Sequence, residues 1–463
     1  MIIESKTLTG QSHRLTSTTA KQPRRRMARL CAGLTVALLT AGSALSQDAT
    51  PTTTAAPDTA FIFNTMLFLI MGMVVMFMAA GFCMLEAGMV RSKNAATICL
   101  KNITLYSIAT VMVWLIGYNL IYGNADTPGG WIGTLGAWGA DDSKPLDLGF
   151  ASSSDWFFQM VFVATAASIV SGTMAERVRL WPFFLFTALL TGVIYPIQAS
   201  WEWGAGWLDS RYGFSDFAGS TLVHATGGWA ALAGALALGP RRGKYNADGS
   251  INRINGSSMP LATLGVFILW LGWFGFNGGS QLALGTLNDA ISISNIFVNT
   301  NMAAASGVIT VVVLSTLLKS KIDLGLALNG AIGGLVAITA EPLTPLVWQA
   351  ALIGGTGGAI IFVTTPLLEA ARIDDVVGAI PAHLFCGIWG TIAVPFTNHD
   401  GPTFLGQAVG IGANAVFVFG VSLVAWFFLK FVVGIRASAE EEEAGLDDSE
   451  IGAPAYPEFS TAS

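Results

Sequence analysis

Two histidines occupy matched surroundings. GSTLVHATGGW holds His224 between Gly219 and Gly228, and GAIPAHLFCGIW holds His383 between Gly378 and Gly387. Each reads Gly, four residues, His, three residues, Gly. Both lie in apolar runs, where a polar side chain without a partner is disfavoured. Neutral imidazoles in contact can share a proton between ring nitrogens and offer a donor and an acceptor to a small polar solute. The pair suits the passage of a proton or of a proton-bearing molecule. A bare alkali ion needs a ring of carbonyls or carboxylates to replace its water, and the sequence shows no such ring. His13 lies in the presequence and His399 in the polar stretch TNHDGP.

The elements that position these histidines are membrane spans. The 463 residues are 53% hydrophobic and only 11% charged, against about 25% charged in soluble domains. No basic face points to nucleic acid. Residues 1–46 read as a cleaved signal peptide: Arg24, Arg25, Arg26 and Arg29 precede LCAGLTVALLTAG, and Ala44-Leu45-Ser46 fits a cleavage site. A genuine first span is the alternative, but that apolar run is short of the ~20 residues a bilayer needs. Residues 47–60 read as an exported linker. Eleven apolar runs follow, at 61–85, 98–122, 156–174, 181–202, 219–239, 259–280, 295–317, 324–340, 345–368, 378–396 and 404–431. With the mature N-terminus outside, fourteen Lys and Arg from Arg91 to Arg436 fall inside, and only Lys144 and Arg211 fall outside. The membrane domain is 61–434, and 435–463 is a cytoplasmic tail. Loop 123–155 suits a vestibule or an oligomer rim, or is an insertion. Cys83, Cys99 and Cys386 read as packing residues.

His383 lies five spans after His224, in the tenth run against the fifth. An odd number per half turns the second half over, so the predicted fold is an all-α integral membrane protein of eleven transmembrane helices: two inverted five-helix repeats plus a C-terminal helix. Binding sites in such folds lie near the midplane at the repeat interface. The flanking glycines would let helices approach closely enough for the two rings to touch.

The chain resembles the Amt/Mep/Rh family of ammonium transporters, in its Amt branch. The residues that carry the resemblance are GFCMLEAGMVRSKNAATICLKN, AERVR, DFAGSTLVH, GWFGFNGGS, DDVVGAIPAHLFCGIWG and a tail ending EEEEAGLDDSEIGAPAYPEF. It extends from about residue 61 to 459. It implies a homotrimer with one pore per subunit, in a cell membrane, that splits ammonium into ammonia and a proton. The outer ammonium site would be Trp203 with Ser280 and Phe162. The gate would be Phe162 and Phe276, and Trp273 would line the pore with the two histidines. Physically, an aromatic face attracts a cation by about 0.5 to 2 kcal/mol, and a serine hydroxyl can accept from it. A tryptophan at a helix end is also common as an interfacial anchor. Asp216 resembles the family's outer-mouth acid; its position also fits a cap on the helix that carries His224. Asp374 and Asp375 are expected to tie a loop.

In the family the tail couples subunits and meets a PII signal protein. Ile451 departs from the polar residue expected there, which bears on PII docking. Two rival functions are an ammonium sensor signalling through the tail and an Rh-type channel for neutral ammonia or carbon dioxide. HExxH, GxSxG and a nucleotide loop are missing, so neither an enzyme nor a cofactor or metal is expected.

Overall fold

The computed structural model describes residues 56–123, 129–319 and 321–459. The expected signal segment and the linker up to residue 55 lie outside them, as do His13 and Cys31. Among the described residues the secondary structure is helical, with two isolated backbone bridges, Val178 to Arg436 and Tyr245 to Ile251, and no strand. The main helices are α1 (Pro57–Met89, with a turn at Phe77), α2 (Ser92–Tyr122), α3 (Ser152–Thr173), α4 (Leu180–Ser200) and α5 (Ser220–Leu238). They continue as α6 (Met259–Gly279), α7 (Leu287–Leu318), α8 (Leu324–Ile338), α9 (Val347–Ala370), α10 (Ile380–Thr397) and α11 (Phe404–Val432). All eleven expected apolar runs are helical.

Among the described residues ten segments are long and apolar enough to cross a bilayer by length and composition. The eighth run, α8, has 15 residues, fewer than the ~20 of a lipid-facing span. It is buried at every position from Leu326 to Ile338, so protein surrounds it rather than lipid. The expected α7 starts too late. The helix begins at Leu287 on a reciprocal cap between Thr286 and Asp289, and Asn288, Asp289 and Ser292 hide its first turns from an apolar pattern. Large apolar side chains such as Val416 and Phe431 on α11 face outward, as lipid or another subunit requires.

The crossing of α5 and α10 sets the site. A Cβ on Gly228 would lie 2.7 Å from Leu384 Cβ, and one on Gly387 2.4 Å from Ser220 O. Each glycine thus admits the partner helix next to the partner's histidine. The two helices run oppositely: Thr221 at the start of α5 meets Thr391 near the end of α10 at 2.6 Å. At the other end, Arg241, just after α5, bonds Asp374, just before α10, at 2.8 and 2.9 Å. α1 and α6 also pack intimately, with Gly88 against Ala262.

Four of the basic residues expected inside, Arg91, Arg179, Arg241 and Arg436, pair with acids beside or within the tail. Arg91 and Arg241 hold Glu176 at 2.5 and 3.5 Å, Arg179 holds Glu441 and Arg436 holds Glu442. The tail is not merely solvated. Its helix α12 (Ala439–Ala444) is capped by Ser438, and Asp447 is buried, accepting from Ala96 N, Thr97 N and Thr97 Oγ1 at the start of α2. Ser438 N–H and Arg179 hold the Glu441 carboxyl below its usual range.

Gly387→Val is expected to wedge α5 from α10 and destabilise the protein by about 1–3 kcal/mol. The check is the unfolding midpoint of purified protein in detergent, with Gly412→Ala, where a Cβ meets nothing within 4 Å, as the neutral comparison.

Candidate functional site

Both histidines sit in π-helical turns, His224 in Ser220–Ala225 and His383 in Ile380–Phe385. Such turns leave carbonyls unmatched and recur at functional sites. In the His224 turn, Leu222 O accepts from Gln198 Nε2 at 2.7 Å and Thr221 O from Thr226 Oγ1 at 3.3 Å; Asn414 Nδ2 braces both side chains, donating to Gln198 Oε1 and Thr226 Oγ1 at 2.9 and 2.8 Å. Each turn follows a glycine with positive φ, 107° at Gly219 and 77° at Gly378, a conformation in which a side chain would be strained.

An aspartate caps each turn. Asp216 is fully buried and accepts from four backbone N–H groups: Gly219 and Ser220 at 3.0 and 2.8 Å, Thr221 and Leu222 at 2.7 and 2.8 Å. Burial pushes its carboxyl up to about 6, and the four amides pull the other way. Both oxygens are therefore spent on the cap. Asp375 does the same for α10, accepting from Gly378 N at 3.2 Å, Ile380 N at 2.7 Å and Thr173 Oγ1 at 3.0 Å; burial raises it as well. Asp374 is the residue that ties a loop. Burial alone would raise it, but Arg241 and Arg177 hold it below the carboxylate range. The repeat is thus longer than the expected pattern: Asp, two residues, Gly, four residues, His, three residues, Gly. Reading three residues further back in each copy would have found Asp375.

A file of aromatic rings links one end of the molecule to the histidines. Trp203, half-buried just after α4, donates from Nε1 to Asp216 O at 3.1 Å. Its ring stands edge-on to Phe162 of α3, centroids 6.2 Å apart at 85°. Phe162 covers Phe276 of α6 at 4.0 Å, and Phe276 stacks on His224 at 5.1 Å. His224 also stacks on Trp273 at 5.0 Å, whose Nε1 donates to Thr339 Oγ1 at 2.8 Å. The imidazoles of His224 and His383 stack at 5.3 Å, with Nδ1 to Nδ1 at 3.3 Å. One Nδ1 donates and the other accepts. Both rings are buried, and His224 Nε2 has no hydrogen-bond partner. Ser280 follows Phe276 by one turn; its Oγ donates to Phe276 O at 2.8 Å, leaving its lone pairs free to accept.

Chemically, the file is apolar, with an indole and a hydroxyl near the Trp203 end and a hydrogen-bonding imidazole pair at the other. Two acids near it escaped sequence reasoning, Glu202 beside Trp203 and Glu86 on α1. Glu202 Oε1 accepts from Asp216 N at 2.7 Å; its signal was an acid between the tryptophans of WEW. Among the described residues no three His, Cys, Asp or Glu converge as a metal site would require.

Residues 66–456 match the profile of the Ammonium Transporter Family. Ammonium transporter Amt2 of Archaeoglobus fulgidus is 42% identical over 419 residues, covering 84% of this chain and 87% of its own. Ammonium transporter Amt2 of Methanocaldococcus jannaschii is 37% identical over 408 residues, covering 84% and 90%. Among solved structures, one titled Sensor Amt Protein superposes with a TM-score of 0.78 at 35% identity, over 86% of this chain and 100% of that one. Candida albicans Mep2 gives 0.73 at 26% identity, over 87% and 92%.

Asp216→Ala and Asp375→Ala each strip a cap that satisfies several amides, so each is expected to destabilise by about 2 kcal/mol, the upper end for a lost N-cap. Thermal unfolding of the purified variants checks it; midpoints equal to that of the unaltered protein would contradict the capping role.

Proposed function

We propose that this protein, which belongs to the ammonium transporter family, binds ammonium at Trp203, Ser280 and Phe162, strips a proton from it, and conducts ammonia past Phe162 and Phe276 along His224 and His383. The observation that carries this reading is the buried contact of the two imidazoles at 3.3 Å, at the foot of an unbroken file of rings. Ammonium and potassium are close in size, so fit discriminates poorly. A dry passage penalises any ion that keeps its charge, and ammonium is the one that can lose it. Trp203 offers its face to the cation and Ser280 its lone pairs. Trp273, fixed by Thr339, holds the His224 ring flat, so that Nε2 faces the solute. Asp216 acts at one remove, by fixing where α5 begins. Whether the proton follows through the histidine pair is read directly as a transport current.

The chain is a multi-pass membrane protein. We place it in the cell membrane as a homotrimer, with residues 1–46 removed, the mature N-terminus outside and the tail in the cytoplasm. The docked tail, with Asp447 on α2 and Glu441 and Glu442 on Arg179 and Arg436, is a surface a PII-type protein could read, and Ile451 alters one of its positions. One observation favours a second reading, ammonium sensing through that tail: the similarity to a structure titled Sensor Amt Protein. Flux through purified protein in liposomes separates the two, since a sensor passes little.

His224→Ala and His383→Ala are each expected to abolish selective ammonium uptake in proteoliposomes without loss of assembly on size exclusion. Unaltered selectivity over potassium would remove the histidines from the mechanism. Trp203→Leu is expected to raise the half-saturating ammonium concentration about 2- to 30-fold, the equivalent of a lost cation–π contact; an unchanged value would take Trp203 out of the entrance.

A further inference from the structure

On the tail side of the histidine pair lies a small cavity lined by Phe82, Glu86, Ser168, Asn329, Val377 and His383 among others. It has room for about one water-sized molecule. Phe82 faces the His383 ring at 6.1 Å, and Glu86 follows one helical turn further along α1. Glu86 is buried. Its Oε2 accepts from Ser171 Oγ at 2.7 Å and lies 3.6 Å from Lys101 Nζ, which in turn donates to Ser171 O at 2.8 Å. Its Oε1 has no hydrogen-bond partner. A buried carboxylate oxygen left bare is expensive and uncommon. Glu176 shows what a structural buried acid looks like here: Arg91 N and Nε take one oxygen each at 2.7 Å, and Arg241 adds a further contact. Glu86 differs in keeping one oxygen unpaired beside the cavity under His383.

We propose that Glu86 is the group that returns a proton to ammonia at the tail-side end of the pore. This rests on the histidine route set out under Proposed function. Ammonia leaving His383 meets the Glu86 carboxyl. The carboxyl O–H bond breaks as an N–H bond forms on the ammonia lone pair, leaving a carboxylate between the new ammonium and Lys101. That carboxylate regains a proton from His383, which draws it through the Nδ1 contact from His224 as the unpartnered His224 Nε2 takes up the proton that ammonium sheds. One ammonium enters, one leaves, one positive charge crosses, and no co-reactant is consumed. Ser168 and Asn329 supply the polar wall that the emerging cation needs. The carboxylate also attracts that cation until water takes it.

The test uses the full chain in proteoliposomes, reading ammonium-evoked current and, with a trapped pH dye, entry of neutral ammonia. Replacing only Glu86 would strand a buried lysine, so the principal variant is Glu86→Gln with Lys101→Met, a neutral pair of like volume. If the pair is structural, this variant transports like the unaltered protein. The proposal expects the current to fall roughly 100-fold, as for a lost general acid, while ammonia entry persists. Glu86→Asp keeps the carboxyl and Lys101 but draws the carboxyl back by one methylene, and is expected to lose part of the current; it serves alone if the double variant fails to assemble. Currents matching the unaltered protein in the assembled variants overturn the role of Glu86 and leave the transport reading intact. An unaltered protein that admits ammonia without current overturns the proton-return role as well. An unaltered protein with neither signal overturns the transport reading itself, and this proposal with it.

Discussion

The molecule is organised around one contact, two buried imidazoles touching through their Nδ1 atoms at 3.3 Å. Holding that contact requires two helices thin enough to cross side by side, hence Gly228 and Gly387. It requires both rings to enter at the same depth from opposite ends, hence two π turns started by two left-handed glycines. It also requires the helix starts to be pinned inside a low-dielectric medium, where four free amides would be costly. Asp216 and Asp375 supply those acceptors. On the proposed function, folding and transport share the same residues, and the capping acids act on transport through geometry.

Much of this was legible because the chemistry is written twice. The Gly-x4-His-x3-Gly pattern located both rings and the pairing of α5 with α10. The balance of Lys and Arg located the end where Arg91, Arg179, Arg241 and Arg436 gather. The boundaries of α1 and α7 were less legible, because polar first turns such as Leu287-Asn288-Asp289 carry no apolar period although a cap fixes them. α8 read as a span by hydropathy alone. From Leu326 to Ile338 it is enclosed by protein, and the sequence cannot distinguish a neighbour of protein from one of lipid.

The site was legible unevenly. Trp203, Phe162, Phe276 and Trp273 are aromatic residues in an aromatic-rich chain, and only the resemblance to ammonium transporters singled them out. The structure sets them in one file. Asp375 was hidden by its neighbour Asp374: two adjacent acids look alike in sequence, yet one meets Arg241 and the other the amides of α10. Glu86 was hidden inside the motif GFCMLEAGMV, because a sequence does not show which of a carboxylate's two oxygens is left without a partner.

The central claim of the proposed function is that the route is too dry for any cation that cannot give up a proton. It is tested most directly by comparing ammonium with potassium permeation through the unaltered protein in planar bilayers or proteoliposomes under the same gradient. The account predicts transport of ammonium with no potassium flux above protein-free membranes. Potassium passing at a rate comparable to ammonium would contradict it.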